Sequence, residues 1–296
     1  CLFSMSTYSI KDLEQVSGIK AHTIRIWEQR YRFLQPLRTD TNIRTYNAEE
    51  LKIILNVSLL NKYGFKISHI DKMTPEQMEE KILSLNQLDA VKERVINGLI
   101  KEMVSLNMGS FEKQLDIYIG QRGVEKTIIE IIFPFLERVG VLWMTNHVNP
   151  AQEHLATNLL RQKLILGIEK LPAVLEQDRN VILFMPEGEH HEVGLLLVYF
   201  LLKNQGVYVH YLGANVPLRD LAFLNAIKKP EYIFCHITSP SKVFKLDRFI
   251  TQLGQMTNAT PVLLSGQTIK EYKGKMSDNI SVKTSLTEVV QVIQSM

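Results

Sequence analysis

An acidic segment with two histidines, EGEHHEVG, occupies residues 187–194, directly after the apolar run 181–185. Imidazole and carboxylate side chains bind metal ions, transfer protons at neutral pH and orient one another through hydrogen bonds. Adjacent histidines among glutamates could therefore form a metal site, take part in catalysis, or only solvate a loop. The residues around them narrow these alternatives.

Three common kinds of site do not match the residues around His191. A zinc-protease helix needs His-Glu-x-x-His, but Leu195 stands where the second histidine would be. A phosphate-binding loop needs several glycines and a lysine, whereas this loop is acidic and would repel phosphate. Nucleophilic catalysis needs a serine or cysteine beside a base, and the chain has only distant candidates. We therefore do not expect any of these three kinds of site here. We also expect no catalytic residues, and we expect that the protein is not an enzyme.

The segment is positioned by strands and helices that alternate from Asn180 onward. Apolar runs at 181–185, 207–212, 232–237, 261–264 and 280–282 predict strands, and the stretches 191–204, 217–228, 242–255 and 287–295 predict helices. Buried strands separated by such helices indicate a parallel, doubly wound sheet of the flavodoxin-like kind. Ligands bind beyond the carboxyl ends of the strands of such a sheet, where residues 187–194 lie.

The preceding region, residues 76–175, predicts a four-helix bundle. Its helical stretches are 87–106, 108–120, 124–143 and 151–171. The sequence Asn-Pro-Ala-Gln at 149–152 is typical of a helix start, with a capping residue, proline and a glutamine three residues later. Trp143 then lies near the end of one helix, and Glu153 and His154 lie in the first turn of the next. A helical hairpin could bring all three to one end of the bundle.

Residues 5–75 predict a winged helix-turn-helix. Ser9 caps a first helix that ends at Gly18, and a second helix over 21–31 turns Ile24 and Trp27 inward. A short wing follows, before a helix capped at Asn47. Residues 1–75 have a net charge of +4 and the remainder −1, which indicates a polyanionic partner for the first segment. The expected contacts to double-stranded DNA are His22, Thr23, Arg25, Arg30, Tyr31, Arg38, Asn42, Arg44 and Tyr46.

The stretch TIRIWEQRYRFLQPLRTDTNIRTYNAEEL closely resembles the recognition helix, wing and following helix of the MerR family of transcription regulators. The resemblance covers about residues 7–75. It implies a DNA-binding regulator whose effector is sensed by the remaining two thirds of the chain.

Glu189-x-His191-x-x-Gly194 resembles the Asp-x-His-x-x-Gly motif of cobalamin-binding domains. The resemblance implies that His191 is the lower ligand of the cobalt and that Glu189 orients its imidazole. Gly194 would let the displaced nucleotide tail pass close to the backbone. Ser239, Ser265 and Gly266 would line the tail, although Ser265 replaces a glycine of the family pattern.

Trp143, followed after nine residues by Glu153-His154, resembles the helical cap of the CarH/LitR-type photoreceptor regulators. The resemblance implies a repressor whose oligomeric state depends on adenosylcobalamin, with these three residues near the adenosyl group on the upper face of the cofactor. Light would break the cobalt–carbon bond and alter assembly on DNA. Met144 stands where the photoreceptors have a histidine, and its thioether is a softer ligand; His147 lies three residues further on.

The expected domains are therefore 5–75, 76–175 and 178–296. The chain has two cysteines and neither a secretory signal nor an apolar run of about 18 to 20 residues, so we expect a cytoplasmic protein without membrane contact. Because a single winged helix covers only one half-site on DNA, we also expect a homo-oligomer, a dimer or tetramer. Two alternatives stay open: a regulator whose effector domain no longer binds cobalamin and works through protein contacts, and a corrinoid carrier for methyl transfer.

Overall fold

The computed structural model describes residues 7–144, 148–175, 179–240, 244–257, 260–270 and 272–295. The chain divides into two compact units, Cys1–Leu159 and Leu160–Met296, and the division falls inside one helix. The three domains expected from the sequence stay a prediction. Within the described residues, no helix combines the length and apolar character needed to cross a membrane.

The first unit begins with the predicted helix-turn-helix and wing. The elements of this part of the unit are α1 Ile10–Ser17, α2 Ala21–Arg30, β1 Leu37–Arg38, β2 Arg44–Thr45, α3 Ala48–Lys62, α4 Ile67–Ile70 and α5 Pro75–Leu83. Ser9 caps α1 as predicted, because its hydroxyl accepts from the N–H of Asp12 while the Asp12 carboxylate accepts from the N–H of Ser9. Gly18 ends α1 with a φ of +72°, a conformation that glycine adopts without steric cost.

Helix packing, a pair of short strands and a bridge between two buried tyrosines hold the winged helix together. Ile24 and Trp27 are the buried residues of α2, as predicted, and α2 packs on α1, which in turn packs on α3. The strands β1 and β2 pair antiparallel to form the wing. Tyr8 and Tyr46 are both buried and form a backbone bridge, which joins the segment before α1 to the end of the wing.

The predicted bundle region consists of helices. They are α6 Leu88–Val104, α7 Met108–Thr127, a π-helical turn Ile128–Ile132, α8 Phe133–Met144 and α9 Pro150–Lys170. The predicted break between 120 and 124 is a kink inside α7 at Gly123, whose φ is +78°. Phe111 and Phe135 pack edge to face with ring centroids 5.6 Å apart, which joins α7 to α8.

The second unit contains the predicted doubly wound sheet. Its elements after α9 are β3 Asn180–Pro186, α10 Val193–Asn204, β4 Tyr208–Val216, α11 Leu218–Lys228, β5 Tyr232–His236, α12 Leu246–Thr257, β6 Val262–Ser265, α13 Gln267–Lys270, β7 Ile280–Lys283 and α14 Leu286–Ser295. All five strands are parallel, in the order β4-β3-β5-β6-β7. Every residue of β3 is buried, which fits a central strand covered on both faces. The flavodoxin-like fold is therefore confirmed.

Candidate cofactor site and DNA-binding surface

The loop after β3 lies where the strand order reverses, between β4 on one side and β5 on the other. It is fastened to the end of β4: the N–H of Gly188 donates to Oδ1 of Asn215 at 2.9 Å, and the N–H of Asn215 donates to the carbonyl of Glu189 at 3.2 Å. Gly188 has a φ of +79°, which suits glycine. The acidic histidine loop therefore lies at the crevice where doubly wound sheets bind their ligands.

The carboxylate of Glu189 is fully buried and accepts five hydrogen bonds. Oε1 accepts from the backbone N–H groups of His190 and His191, each at 2.9 Å, and from the ring of His191. Oε2 accepts from the N–H groups of Thr238 and Ser239, each at 2.7 Å. Burial by itself raises the pKa of Glu189, but the hydrogen bonds from His191 and the backbone outweigh burial and lower that pKa to about 2. Glu189 is therefore ionised at neutral pH.

The imidazole of His191 is oriented by Glu189. Nδ1 lies 2.6 Å from Oε1 of Glu189, and 42% of the His191 side chain is exposed. Because an ionised carboxylate only accepts hydrogen bonds, Nδ1 carries the proton and the lone pair of the neutral ring lies on Nε2. No group of three or more His, Cys, Asp or Glu side chains in the described ranges could hold a metal ion.

The space beside Gly194 is filled by His236, the last residue of β5, and this differs from the open passage expected there. A Cβ on Gly194 would lie 2.8 Å from Cδ2 and Cε1 of the His236 ring, which is closer than a real Cβ approaches. Nδ1 of His236 lies 2.9 Å from Oγ of Ser265, and Nε2 lies 3.0 Å from Oγ1 of Thr238. Burial lowers the pKa of His236 to about 4, so the ring is neutral at pH 7.

The other residues expected to line a tail lie around the end of β5. Ser265 is buried and contacts the His236 ring. Gly266 has a φ of +107°, and a Cβ there would overlap the carbonyl oxygen of Ile237. Ser239 is exposed, and its backbone rather than its side chain contacts Glu189.

Sequence reasoning did not identify Glu192, the residue directly before α10. Its Oε1 accepts from the hydroxyl of Tyr211 at 2.8 Å, and its Oε2 lies 2.8 Å from Nε of Arg161 on α9. Only 14% of the Glu192 side chain is exposed. His236 was missed as well, although its place at the carboxyl end of a strand was a signal that could have identified it.

The bundle residues of the expected upper face are described in part. The backbone of Trp143 and Met144 ends α8, but their side chains lie outside the described residues, and so does the whole of His147. Glu153 and His154 lie in the first turn of α9, as predicted, with Oε2 of Glu153 2.9 Å from Nδ1 of His154. The side chain of His154 is 71% exposed and that of Glu153 is 13% exposed.

Most of the expected DNA contacts lie on the surface of α2 and the wing. His22, Arg25, Arg30, Arg38 and Asn42 are exposed, and Thr23, Tyr31 and Arg44 are half-buried. In the wing, Arg38 donates from Nη1 to Oδ1 of Asn42 at 2.6 Å. Asn42 has a φ of +62°, so it also forms the turn between the two strands.

Tyr46 is a correction to the expected DNA contacts, because its side chain is fully buried and cannot reach a phosphate in this structure. Its hydroxyl donates to Oε1 of Glu28 on α2 at 2.8 Å. Nε of Arg44 donates to Oε2 of the same carboxylate at 2.8 Å. Burial and the bond to Glu28 raise the pKa of Tyr46 well above its usual value. Glu28 therefore fastens the wing to α2, and it takes up part of the hydrogen-bonding capacity of Arg44.

Comparisons with known proteins match these regions in the same order. The family model described as MerR HTH family regulatory protein matches residues 8–77, and the model described as B12 binding domain matches residues 88–166. The structure of the monomethylamine corrinoid protein of Methanosarcina barkeri aligns with a TM-score of 0.53 and 16% identity. That alignment covers 69% of this chain and 100% of the corrinoid protein, and it supports the fold alone.

Two relatives from Myxococcus xanthus match most of the chain. The HTH-type transcriptional repressor CarH is 25% identical over 274 residues, which are 90% of this chain and 91% of CarH. The HTH-type transcriptional repressor CarA is 30% identical over 221 residues, which are 73% of this chain and 71% of CarA. The chain therefore belongs to the family of MerR-type transcriptional regulators that carry a B12-binding domain.

Proposed function

We propose that this protein represses transcription by binding operator DNA through its winged helix, and that adenosylcobalamin controls its assembly. The observation that carries the cobalamin proposal is the 2.6 Å contact between Oε1 of Glu189 and Nδ1 of His191, on a ring whose side chain is 42% exposed. Assignment as a repressor is supported by the relatives CarH and CarA, which are both named as transcriptional repressors.

In this proposal, Nε2 of His191 would hold the cobalt of the cofactor. The Glu189 carboxylate accepts the hydrogen bond that Nδ1–H donates, which fixes the tautomer and increases the basicity of the ring. Its five hydrogen bonds hold the carboxylate in place, so the imidazole is oriented before any ligand arrives. When bound, the adenosyl form supplies a cobalt–carbon bond that light can break. Gly194, Ser239, Ser265 and Gly266 are proposed to lie along the nucleotide tail.

The upper face of the cofactor is proposed to lie against the bundle residues Trp143, Glu153 and His154. The proposal rests on their resemblance in spacing and on the pairing of Glu153 with an exposed His154. A change in this cap after illumination would alter the oligomeric state. Because Met144 replaces a histidine, light sensing is tested separately from cobalamin binding.

DNA binding is proposed to place α2 in the major groove and the wing against the backbone. The exposed side chains of His22, Arg25 and Arg30 would reach base edges or phosphates from α2, and Arg38 would reach phosphate from the wing. One winged helix covers only one half-site, so we propose that a homo-oligomer, a dimer or tetramer, binds the operator.

A titration of the purified protein with adenosylcobalamin in the dark tests cobalamin binding. We expect a complex whose visible absorption spectrum differs from that of the unbound cofactor, and we expect His191→Ala to remove this difference or weaken retention. His190→Ala is the matched control, since His190 is exposed and its side chain is not proposed as a ligand. Absence of any bound corrinoid would contradict the proposal and favour a regulator that works through protein contacts.

Size-exclusion chromatography of the dark and illuminated complexes tests the assembly step. We expect different elution volumes before and after illumination. If the complex is stable and has the same elution volume under both conditions, the proposal of cobalamin binding stands and the proposal of light sensing is contradicted.

A further inference from the structure

The space that the proposed function reserves for the nucleotide tail is filled by the protein itself. Gly194 lies against the ring of His236, and Ser265 shares a hydrogen bond with that ring. Gly266 lies against the carbonyl group of Ile237. Three of the four residues proposed to lie along the tail therefore lie against His236 or the residue after it.

Two hydroxyl groups hold His236 in this position. Oγ of Ser265 lies 2.9 Å from Nδ1, and Oγ1 of Thr238 lies 3.0 Å from Nε2. A neutral imidazole has one N–H donor and one acceptor nitrogen, and each hydroxyl can act as partner to either. Displacement of the ring would break both contacts, so the ring resists being moved.

Because Gly194 has no side chain, the His236 ring can pack directly on the backbone of α10. With a Cβ only 2.8 Å from two ring carbons, any other residue at this position would collide with His236. The space between the His236 ring and Gly194 is too small for a second aromatic group. A nucleotide base, which is larger than imidazole, can enter only where the ring leaves.

We propose that His236 sets how strongly this site prefers a corrinoid with a nucleotide tail: because the ring must move before the tail can enter beside Gly194, it lowers the affinity for adenosylcobalamin relative to tail-less corrinoids of the cobinamide type. The inference rests on the proposed function, because it assumes that His191 binds the cobalt. A tail-less corrinoid needs only the exposed face of His191, whereas a buried tail needs the His236 ring to move.

The test is a pair of titrations of the full-length protein in the dark, one with adenosylcobalamin and one with its tail-less counterpart, adenosylcobinamide. For each variant, the measured quantity is the ratio of the two dissociation constants. Comparing this ratio between variants cancels the cost of detaching the base from cobalt, which is the same for every variant. We expect His236→Ala to shift the ratio toward cobalamin by about 30-fold, the factor that corresponds to losing two ordinary hydrogen bonds.

Control variants distinguish an effect of the His236 ring on this ratio from the effect of a general change in the loop. His190→Ala removes an exposed histidine of the same loop and should leave the ratio unchanged. Adding Gly194→Ala to His236→Ala refills part of the space with a methyl group and should move the ratio back toward the unmodified protein. His236→Ser gives a second opening of the space if His236→Ala does not fold.

The outcomes separate the two proposals. An unchanged ratio in His236→Ala and His236→Ser, with both corrinoids bound, would overturn the specificity role and leave cobalamin binding intact. Failure of every variant to bind either corrinoid would overturn the proposed function itself.

Discussion

Oε2 of Glu189 accepts a hydrogen bond from the backbone N–H of Thr238 at 2.7 Å, which ties the loop after β3 to the segment after β5. The two residues are 49 positions apart in the chain. The carboxylate that orients His191 is therefore also a structural junction between neighbouring strands of the sheet.

Glu189→Ala is expected to lower the free energy of unfolding by roughly 3 kcal/mol, because it removes a fully buried carboxylate and leaves the partly buried N–H groups of Thr238 and Ser239 without their acceptor. Urea unfolding followed by circular dichroism measures this loss. Glu187→Ala, at an exposed position of the same loop, should change the value by less than about 0.5 kcal/mol. Equal losses in the two variants would contradict the role of Glu189 as a junction.

Glu192 is expected to position the His191 loop through its contacts with Arg161 and Tyr211. Because the Glu192 side chain is 14% exposed, Glu192→Ala should cost about 1 kcal/mol of unfolding free energy and also shift the absorption spectrum of the bound corrinoid. Arg219→Ala is the control, since Arg219 belongs to an ion pair whose side chains are 84% and 57% exposed. A spectrum identical to that of the unmodified complex would limit Glu192 to a stabilising role.

Stability is expected to fall with decreasing pH through the titration of His236. Its pKa is about 4 in the folded protein and 6.5 ordinarily, so between these values the unfolded chain binds a proton that the folded chain does not. The free energy of unfolding should then decrease as the pH falls from 6.5 to 4, by up to about 1.4 kcal/mol per pH unit. Urea midpoints at several pH values measure this slope. His236→Gln should flatten it, and an identical slope in that variant would assign the effect to other groups.

Arg38→Ala is expected to weaken DNA binding about equally across sequences and to reduce the salt dependence of the affinity by about one phosphate contact. Tyr46→Phe is the matched control in the wing: it removes the hydroxyl bonded to Glu28 and should cost about 1 kcal/mol of stability while DNA affinity stays within about twofold. Fluorescence anisotropy at several salt concentrations measures both variants. A selective loss at one base position would reassign Arg38 to base reading.

Local patterns in the sequence were sufficient to predict the order of the helices and strands. The cap at Ser9 and the stop at Gly18 depend on residues within one turn of the helix end, so they can be identified directly. The buried run of β3 likewise follows from composition, since a strand covered on both faces has little use for polar residues. The pairing of Glu189 with His191 was implied by a motif that spans six positions, from Glu189 to Gly194, and the structure describes it at 2.6 Å.

By itself, the sequence determined the winged helix, the helical region, the five parallel strands and the position of the His191 loop beyond the first of those strands. Only the tertiary structure decided that Tyr46 is buried against Glu28, and that His236 fills the space beside Gly194. The physical reason is distance along the chain: 18 residues separate the first pair and 42 the second. Such contacts depend on how strands and helices pack, because side chains far apart in sequence leave no local period or capping signal.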